Sequence, residues 1–413
     1  MNAPMKTTVN FKDLGPELLN EFDSFDEHEY VRRFELDDGN GNTLIAFIAV
    51  HNTNLGPALG GSRMKAYDSE AEAINDVLRL SRGMTYKNAL AGLPLGGGKA
   101  VIIGNHRTQK TAELMQNMGA AVETFEGAYV TAEDSGTSEE DMVEMSKHTD
   151  HVTGLPPEKL AGSDYGNLGG NPSPLTALGC YHGVLAAVTY RYQGAKTLKD
   201  MTVSIQGVGA VGLELGKLLA QDGAKIIACD IAQENIDAAK AQIKDIEIVG
   251  VDEIFGVDAD IFAPCAMGGA LNDETIAQLN VDIIAGAANN QLLKAHHDKI
   301  LNDKEILYVP DYVINSGGVI CVGYEYFRKS GYNPQDFNIE RGSMVAHVEQ
   351  IGLTVMDIIT QAHNRHLPTG EAADKLAEEK FVKGQALKDV GNDDSNQEAD
   401  SSFGSNGGTR LVQ

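Results

Sequence analysis

Lys87 and Lys99 bracket an unusual stretch, Lys-Asn-Ala-Leu-Ala-Gly-Leu-Pro-Leu-Gly-Gly-Gly-Lys, in which three consecutive glycines run into the second lysine. Glycine costs backbone entropy on folding, so the run implies a tight approach or a bound group. A phosphate-binding P-loop fails on spacing: Leu93 stands where its first glycine belongs, and Ala100 replaces the hydroxyl that would hold Mg²⁺. What remains is a small anion lying against a glycine-lined backbone between two cations. Lys99, with apolar neighbours, is the candidate acid/base group, because desolvation lowers an ammonium pKa toward neutrality. Lys87 is the candidate holder of a carboxylate, and its charge would help keep Lys99 poised. Asp134, in Thr131-Ala-Glu-Asp-Ser-Gly-Thr137 at an expected strand end, is the third candidate.

A second motif follows an expected strand, Thr202 to Gln206: Gly207, Val208, Gly209, Ala210, Val211 and Gly212 open a helix with Leu213, Leu215, Leu218 and Leu219 on its apolar side. Alone, GxGxxG is weak. Here the next expected strand, Lys225 to Cys229, ends in Asp230, at about the 20-residue distance of a dinucleotide-binding fingerprint. Gly207 permits the tight turn, Gly209 lets a pyrophosphate approach bare backbone, and Gly212 allows helix and strand to pack closely. The helix N-terminus offers free N–H groups to the phosphates. Asp230 suits ribose hydroxyls and repels a 2′-phosphate, which favours NAD over NADP. The competing account is a glycine-rich turn that only packs tightly.

The elements that must position these groups form two blocks. In the first, Tyr30 to Leu36 and Thr43 to His51 read as a hairpin about the turn Asp37 to Asn42, expected at a sheet edge. A helix from Ser69 to Tyr86, capped by Asp68 or Ser69, a buried strand Lys99 to Ile103, a helix Ala112 to Phe125 and a strand Tyr129 to Ala132 follow. Gly154 to Pro174 is rich in Gly, Pro, Asn and Ser and marks the expected hinge. Beyond it strands and helices alternate, including Asp260 to Ala263 and Val281 to Ala285, as in a doubly wound parallel sheet. Residues 339–388 read as helical. The expected fold is therefore α/β, an N-terminal α/β substrate and catalytic domain plus a Rossmann-like NAD-binding domain, with the active site in the interdomain cleft. The domains are expected at 1–160 (joined by helices at about 345–388) and 161–344, with a disordered acidic tail at 389–413.

The 413 residues carry 33 Lys+Arg against 59 Asp+Glu, a formal charge of −26, with 42% hydrophobic residues. That charge repels phosphate backbones and anionic lipids, arguing against nucleic-acid and membrane partners. The start, MNAPMKTTVNFKDLG, lacks the pattern of a secretory signal, and no uncharged apolar run approaches the roughly 20 residues that span a bilayer. A cytoplasmic protein is expected. Cys180, Cys229, Cys265 and Cys321 stand far apart and read as buried thiols. His296 and His297 adjoin, and His363 and His366 are spaced to share a helix face, but two imidazoles without a third ligand do not make a metal site.

The segments Leu55 to Met64, Lys87 to Lys99, Thr131 to Thr137, Asn171 to Thr176, Ala285 to Leu292 and Pro310 to Val319 resemble, in the same order, the amino-acid dehydrogenases of the glutamate/leucine/phenylalanine/valine family. The resemblance covers about residues 25 to 385. It implies that Lys87 binds the substrate α-carboxylate, Lys99 activates water or the carbonyl, and Asp134 shuttles protons on the amine. Thr176 and Asn289 match residues at the nicotinamide end or holding the substrate. One departure is Ser135, where the family usually has an apolar residue, which puts the packing around Asp134 in question.

The implied reaction is the reversible oxidative deamination of an amino acid to its 2-oxo acid and ammonium. Glutamate-specific relatives place a lysine where Leu59 stands. Here Leu59, Gly60, Ala132, Val319 and Val322 match the substrate-pocket positions, whose apolar side chains would leave a buried glutamate carboxylate unpaired at a cost of several kcal/mol. A branched-chain L-amino acid, leucine foremost, fits better; valine and phenylalanine remain open, since a methylene is worth only about 1–3 kcal/mol. The resemblance also implies a homo-oligomer, commonly an octamer. A catalytically silent NAD-binding protein is the alternative of another class.

Overall fold

The computed structural model describes residues 8–37, 41–156, 171–266, 268–335, 338–393 and 409–411. The chain divides into two compact units: Met1–Gly170, Val322–Glu340 and Glu379–Gln413 form one, and Asn171–Cys321 with Arg341–Glu378 the other.

The first unit contains β1 (Thr8–Asp13), β2 (Tyr30–Asp37), β3 (Thr43–Asn52), β4 (Ala58–Leu59), β5 (Ser62–Lys65), β6 (Gly96–Ile103) and β7 (Tyr129–Val130). Among the described residues these join a late strand, Thr409–Leu411, in one mixed sheet of eight strands. The β2–β3 hairpin has the expected bounds but lies inside the sheet rather than at its edge, since β1 pairs with β2 and β6 with β3. Burial on both faces explains this. Along β3, Leu44, Ala46, Ile48 and Val50 enter the core under the Ala112–Glu123 helix, while Phe47 and Ala49 enter the core under the Glu70–Leu90 helix. A strand with period-two apolar residues on both faces needs neighbours and cover on both sides.

Both covering helices start at the residues their caps dictate. The Ser69 hydroxyl accepts from the Glu72 N–H at 3.2 Å, and the Thr111 hydroxyl from the Leu114 N–H at 3.1 Å. The first helix runs past the expected Tyr86 to Leu90, which places Lys87 in its last turn.

The second unit holds β8 (Thr202–Gln206), β9 (Lys225–Cys229), β10 (Glu247–Ile248), β11 (Ile261–Pro264), β12 (Ile283–Ile284) and β13 (Leu307–Tyr308), all parallel, in the order β10-β9-β8-β11-β12-β13. Counted within the sheet this is 3-2-1-4-5-6, the doubly wound arrangement whose switch point lies between β8 and β11. The short strands β10 and β13 carry too little pattern to be read from sequence.

Three expectations need correction. The helices Arg341–Glu349 and Ile351–Arg365, and the first part of the helix Thr369–Asp393, belong with the second unit instead of the first. Ile351 shows the contact: the tip of its side chain lies 2.5 Å from where a Cβ on Gly179 of the Ser173–Tyr192 helix would stand, so the two helices pack closely at this glycine. The region from residue 389 is not wholly irregular: the last helix continues to Asp393, and the late strand, β14 (Thr409–Leu411), pairs antiparallel with β1. His366 has φ +56° as the cap of the Ile351–Arg365 helix, so it does not share a helix face with His363. Of the expected Asp37–Asn42 turn and Gly154–Pro174 hinge, residues 38–40 and 157–170 lie outside the described residues. Among the described residues no helix is long and apolar enough to cross a membrane.

Candidate active site

Strand register alone assembles the charged cluster. Ser62 pairs with Ala100 and Arg63 with Val101 across β5 and β6, so Lys99 and Arg63 project from the same face. A bridge between Ser62 and Glu133 brings the residues after β7 alongside β5, and with them Asp134. The Lys99 Nζ lies 3.0 Å from Asp134 Oδ2, and Arg63 Nε donates to that same oxygen at 2.9 Å. Arg63 reaches on to Asp76 of the covering helix at 3.2 Å, and Asp76 accepts from Tyr67 at 2.8 Å and from Arg79 at 2.8 Å. The Asp134 turn is closed by Thr137, whose hydroxyl accepts the Asp134 N–H at 2.9 Å and donates to the Ser62 carbonyl at 2.8 Å. Ser135 is exposed and binds through its carbonyl, which accepts from Met64 N–H, so the departure at that position disturbs no packing.

Burial is the largest influence on Lys99 and lowers its pKa; Asp134 opposes this, while the Arg63 cation adds to it. Burial would raise Asp134, but Lys99 and Arg63 together hold its carboxyl far below the usual carboxylate range. The second cation acting on Lys99 is thus Arg63, a residue that sequence reasoning passed over. Its position one strand away from Lys99 carries no local signal. Lys87 is half-buried at the end of the Glu70–Leu90 helix.

The three glycines have a packing purpose. Side chains at Gly96, Gly97 and Gly98 would strike the Asn52 carbonyl at 2.0 Å, the Thr85 nitrogen at 2.0 Å and the Tyr129 ring at 2.7 Å. They are buried against the chain itself, so the expected glycine floor for a substrate is instead the seat of the covering helix and of Tyr129.

Leu59, Gly60 and Ala132 run side by side, because Leu59 pairs with Val130, Gly60 N–H donates to the Val130 carbonyl at 3.2 Å and Ser62 N–H to that of Ala132 at 2.9 Å. Leu59 is 0% exposed, a core residue in this conformation, whereas Ala132 at 6% retains a little surface. Val319 and Val322 lie one turn apart on the Gly317–Ser330 helix.

In the second unit, Gly207 has φ +92°, the conformation the turn after β8 demands. A Cβ at Gly212 would lie 2.0 Å from the Gly207 carbonyl oxygen, whereas one at Gly209 would meet nothing nearer than the Asn235 amide at 3.9 Å. The helix Ala210–Gln221 starts at Gly209 without a side-chain cap, and the Gln206 Oε1 at the end of β8 is buried without a partner. An open glycine, free helix N–H groups and an orphaned acceptor at the switch point fit a dinucleotide. Ala210 is exposed and Val211 half-buried. Val208 is buried, and its N–H donates to Asp230 Oδ2 at 2.8 Å; Asp230 Oδ1 accepts from Ala232 N–H at 2.8 Å and from the Asn235 amide at 3.1 Å. Asp230 therefore stitches the glycine turn to the end of β9, with one lone pair on Oδ2 remaining for a ribose hydroxyl. Thr176 donates to the Pro172 carbonyl at 3.1 Å, and exposed Asn289 accepts from Asn315 at 2.9 Å.

One other cluster supplies the third group that the adjacent histidines lacked in sequence: ligand atoms of Asp273, His296 and His297 lie within 4.8 Å of one another. The Lys294 N–H donates to His297 Nδ1 at 3.0 Å, which puts the ring proton on Nε2, 3.4 Å from Asp273. A nitrogen that carries the ring proton cannot ligate, so His297 faces Asp273 through an N–H and not as a metal ligand.

An α/β chain with a 3-2-1-4-5-6 parallel sheet, a glycine turn at its switch point and a separate unit bearing a buried lysine–aspartate pair has the makings of a dinucleotide-dependent dehydrogenase. Residues 27–151 match the Glu/Leu/Phe/Val dehydrogenase dimerisation domain, and residues 230–384 match the Glutamate/Leucine/Phenylalanine/Valine dehydrogenase domain. The chain is 45% identical over 338 residues to leucine dehydrogenase of Geobacillus stearothermophilus, covering 82% of this chain and 87% of that one. It is 42% identical over 368 residues to phenylalanine dehydrogenase of Caldalkalibacillus thermarum, covering 88% and 93%. The crystal structure of L-tryptophan dehydrogenase from Nostoc punctiforme superposes with a TM-score of 0.73 at 37% identity, covering 90% of this chain and 99% of that one. The chain belongs to the Glu/Leu/Phe/Val dehydrogenase family and is an amino-acid dehydrogenase.

Proposed function

We propose that the enzyme oxidatively deaminates a branched-chain L-amino acid, leucine foremost, with NAD as the oxidant, and works in the cytoplasm as a homo-oligomer, an octamer by family resemblance. The observation that carries this reading is the ion pair between buried Lys99 and half-buried Asp134. Gly207–Gly212, Asp230, Thr176 and Asn289 would hold the nicotinamide dinucleotide, which would supply the hydride acceptor for the substrate Cα. Lys87 grips the α-carboxylate and so orients Cα. Asp134 shuttles the proton that leaves the substrate ammonium, passing it to neutral Lys99, whose Nζ lies 3.0 Å from its Oδ2. Once the imine has formed, Lys99 assists the attack of water and, as ammonium, stabilises the oxyanion character at C2, an electrostatic effect of a few kcal/mol. Collapse releases ammonium and the 2-oxo acid.

The positions that the family resemblance assigns to the side-chain pocket, among them Leu59, Ala132, Val319 and Val322, carry apolar residues, and Leu59 stands where glutamate-specific relatives place a lysine for the second carboxylate. Phenylalanine is the second reading, favoured by the 42% identity to a phenylalanine-acting relative. Initial rates at the reduced-nicotinamide absorbance, with NAD or NADP and a panel of leucine, valine, isoleucine, phenylalanine and glutamate at alkaline pH, separate the readings. Leucine with NAD is expected to give the highest kcat/KM. Preference for NADP would overturn the role of Asp230, and silence across the panel would overturn the substrate class.

A further inference from the structure

Glu325 and Lys329 on the Gly317–Ser330 helix are charged side chains that the chemistry above leaves unused. Glu325 is 0% exposed, and its carboxylate accepts two consecutive backbone N–H groups, Gly154 to Oε2 at 3.1 Å and Leu155 to Oε1 at 3.2 Å. One turn further on, Lys329 Nζ donates to the carbonyls of Asp150 at 3.0 Å and Val152 at 3.1 Å. A single helix turn thus grips both ends of residues 150–155.

That segment is the neighbour of the strand end that bears the site. Thr131 N–H donates to the His151 carbonyl at 3.0 Å, and Thr153 N–H returns to the Thr131 carbonyl at 2.8 Å. Ala132 and Asp134 follow directly. Val322, Glu325 and Lys329 are spaced i, i+3 and i+7, so all three share one face of the helix.

We propose that Glu325 and Lys329 are positioning residues for substrate selection: their grip on residues 150–155 fixes the register between the helix bearing Val322 and the strand end bearing Ala132, and thereby the width of the side-chain pocket. This rests on the pocket reading given above. Burying a carboxylate to hold two N–H groups is costly when an apolar contact could fill the space. The cost is visible in its titration: burial pushes Glu325 up to about 7, against the Leu155 and Gly154 N–H groups and Lys329, with Glu139 adding to the rise. On the other half of the grip, burial lowers Lys329 while Asp150 and Glu325 raise it. Ionised, Glu325 accepts both bonds; protonated, it turns a donor toward one of them. Amino-acid KM is therefore expected to rise as pH falls below the Glu325 pKa.

The test uses the full-length enzyme and its Glu325→Gln and Lys329→Met variants, with leucine and phenylalanine at saturating NAD from about pH 6 to about pH 9. In the parent, KM for leucine is expected to rise about tenfold toward the acid end. In Glu325→Gln it should already be raised about tenfold at alkaline pH and stay flat, with kcat within about threefold. Lys329→Met should shift the leucine-to-phenylalanine ratio of kcat/KM in the same direction. Unchanged KM, ratio and pH dependence in both variants would overturn the proposal, and Lys329→Met alone decides it should Glu325→Gln not fold. A parent that turns over no amino acid refutes the substrate reading instead. The grip is then read directly: Gly154 and Leu155 amides should exchange at least about tenfold faster in either variant, by loss of protection, and equal exchange overturns it.

Discussion

At the residue scale, Asp134 is the pivot. Two cations share its Oδ2, so it stays ionised while the repulsion between them keeps Lys99 easier to deprotonate. Lys99→Ala removes the group proposed to handle protons and the oxyanion; kcat is expected to fall at least about 100-fold, the range of general acid–base groups, with an unchanged circular dichroism spectrum. Arg63→Gln tests the less evident partner. Arg63 lowers the Lys99 pKa, so its loss raises that pKa and moves the limb of the rate profile that depends on neutral Lys99 to higher pH. A pH–rate profile superimposable on the parent's would reject Arg63 as more than a structural residue. Lys99 and Asp134 were legible from residue type and resemblance. Arg63 was not, because what makes it matter is a sheet register that no local pattern encodes.

At the element scale, the Glu70–Leu90 helix packs over two buried histidines, His28 ahead of β2 and His51 on β3. His51 Nδ1 bonds the Thr85 hydroxyl at 2.8 Å, His28 Nε2 lies 3.0 Å from the Ser81 hydroxyl, and the two rings stand 4.9 Å apart. Burial, first, pulls both down to about 4. Unfolded, each titrates at about 6.5, so between these values the unfolded chain binds more protons than the folded one. The stability these histidines contribute is present above about pH 6.5 and is lost as pH falls toward 4, on the order of a few kcal/mol in all. Urea midpoints measured across that window should drop steeply in the parent. The slope should flatten in a His28→Gln, His51→Gln double variant, and an equally steep fall in it would sink the account. The helix start here followed from its cap, while its end lies four residues beyond the expected Tyr86; the glycine run differs from its expected role because its reason, the approach of Thr85 and Tyr129, comes from distant parts of the chain.

At the scale of the whole molecule, the late strand β14 lies along β1 and covers its outward edge in the first unit's sheet. Truncation after Asp393 is expected to leave kcat and KM unchanged, since neither strand carries a site residue. It uncovers backbone groups on β1, so a gain in self-association by light scattering is also expected. A large loss of turnover would show that the strand orders the site.

The sequence by itself determined the parallel-sheet unit, its glycine turn and Asp230, because strand–turn–helix chemistry is local and each part stands close to the next in the chain. It also singled out Lys99 and Asp134, through residue type and family likeness, as the candidate reacting groups, and these two side chains meet in the structure. Only the tertiary structure decided which cation faces that pair, why three glycines precede Lys99, and that the helices after residue 341 pack in the second unit. It alone showed that Glu325 is buried on the amides of Gly154 and Leu155. Each of these depends on residues far apart in the chain meeting through sheet register and close packing, and such meetings leave no mark on local spacing or composition.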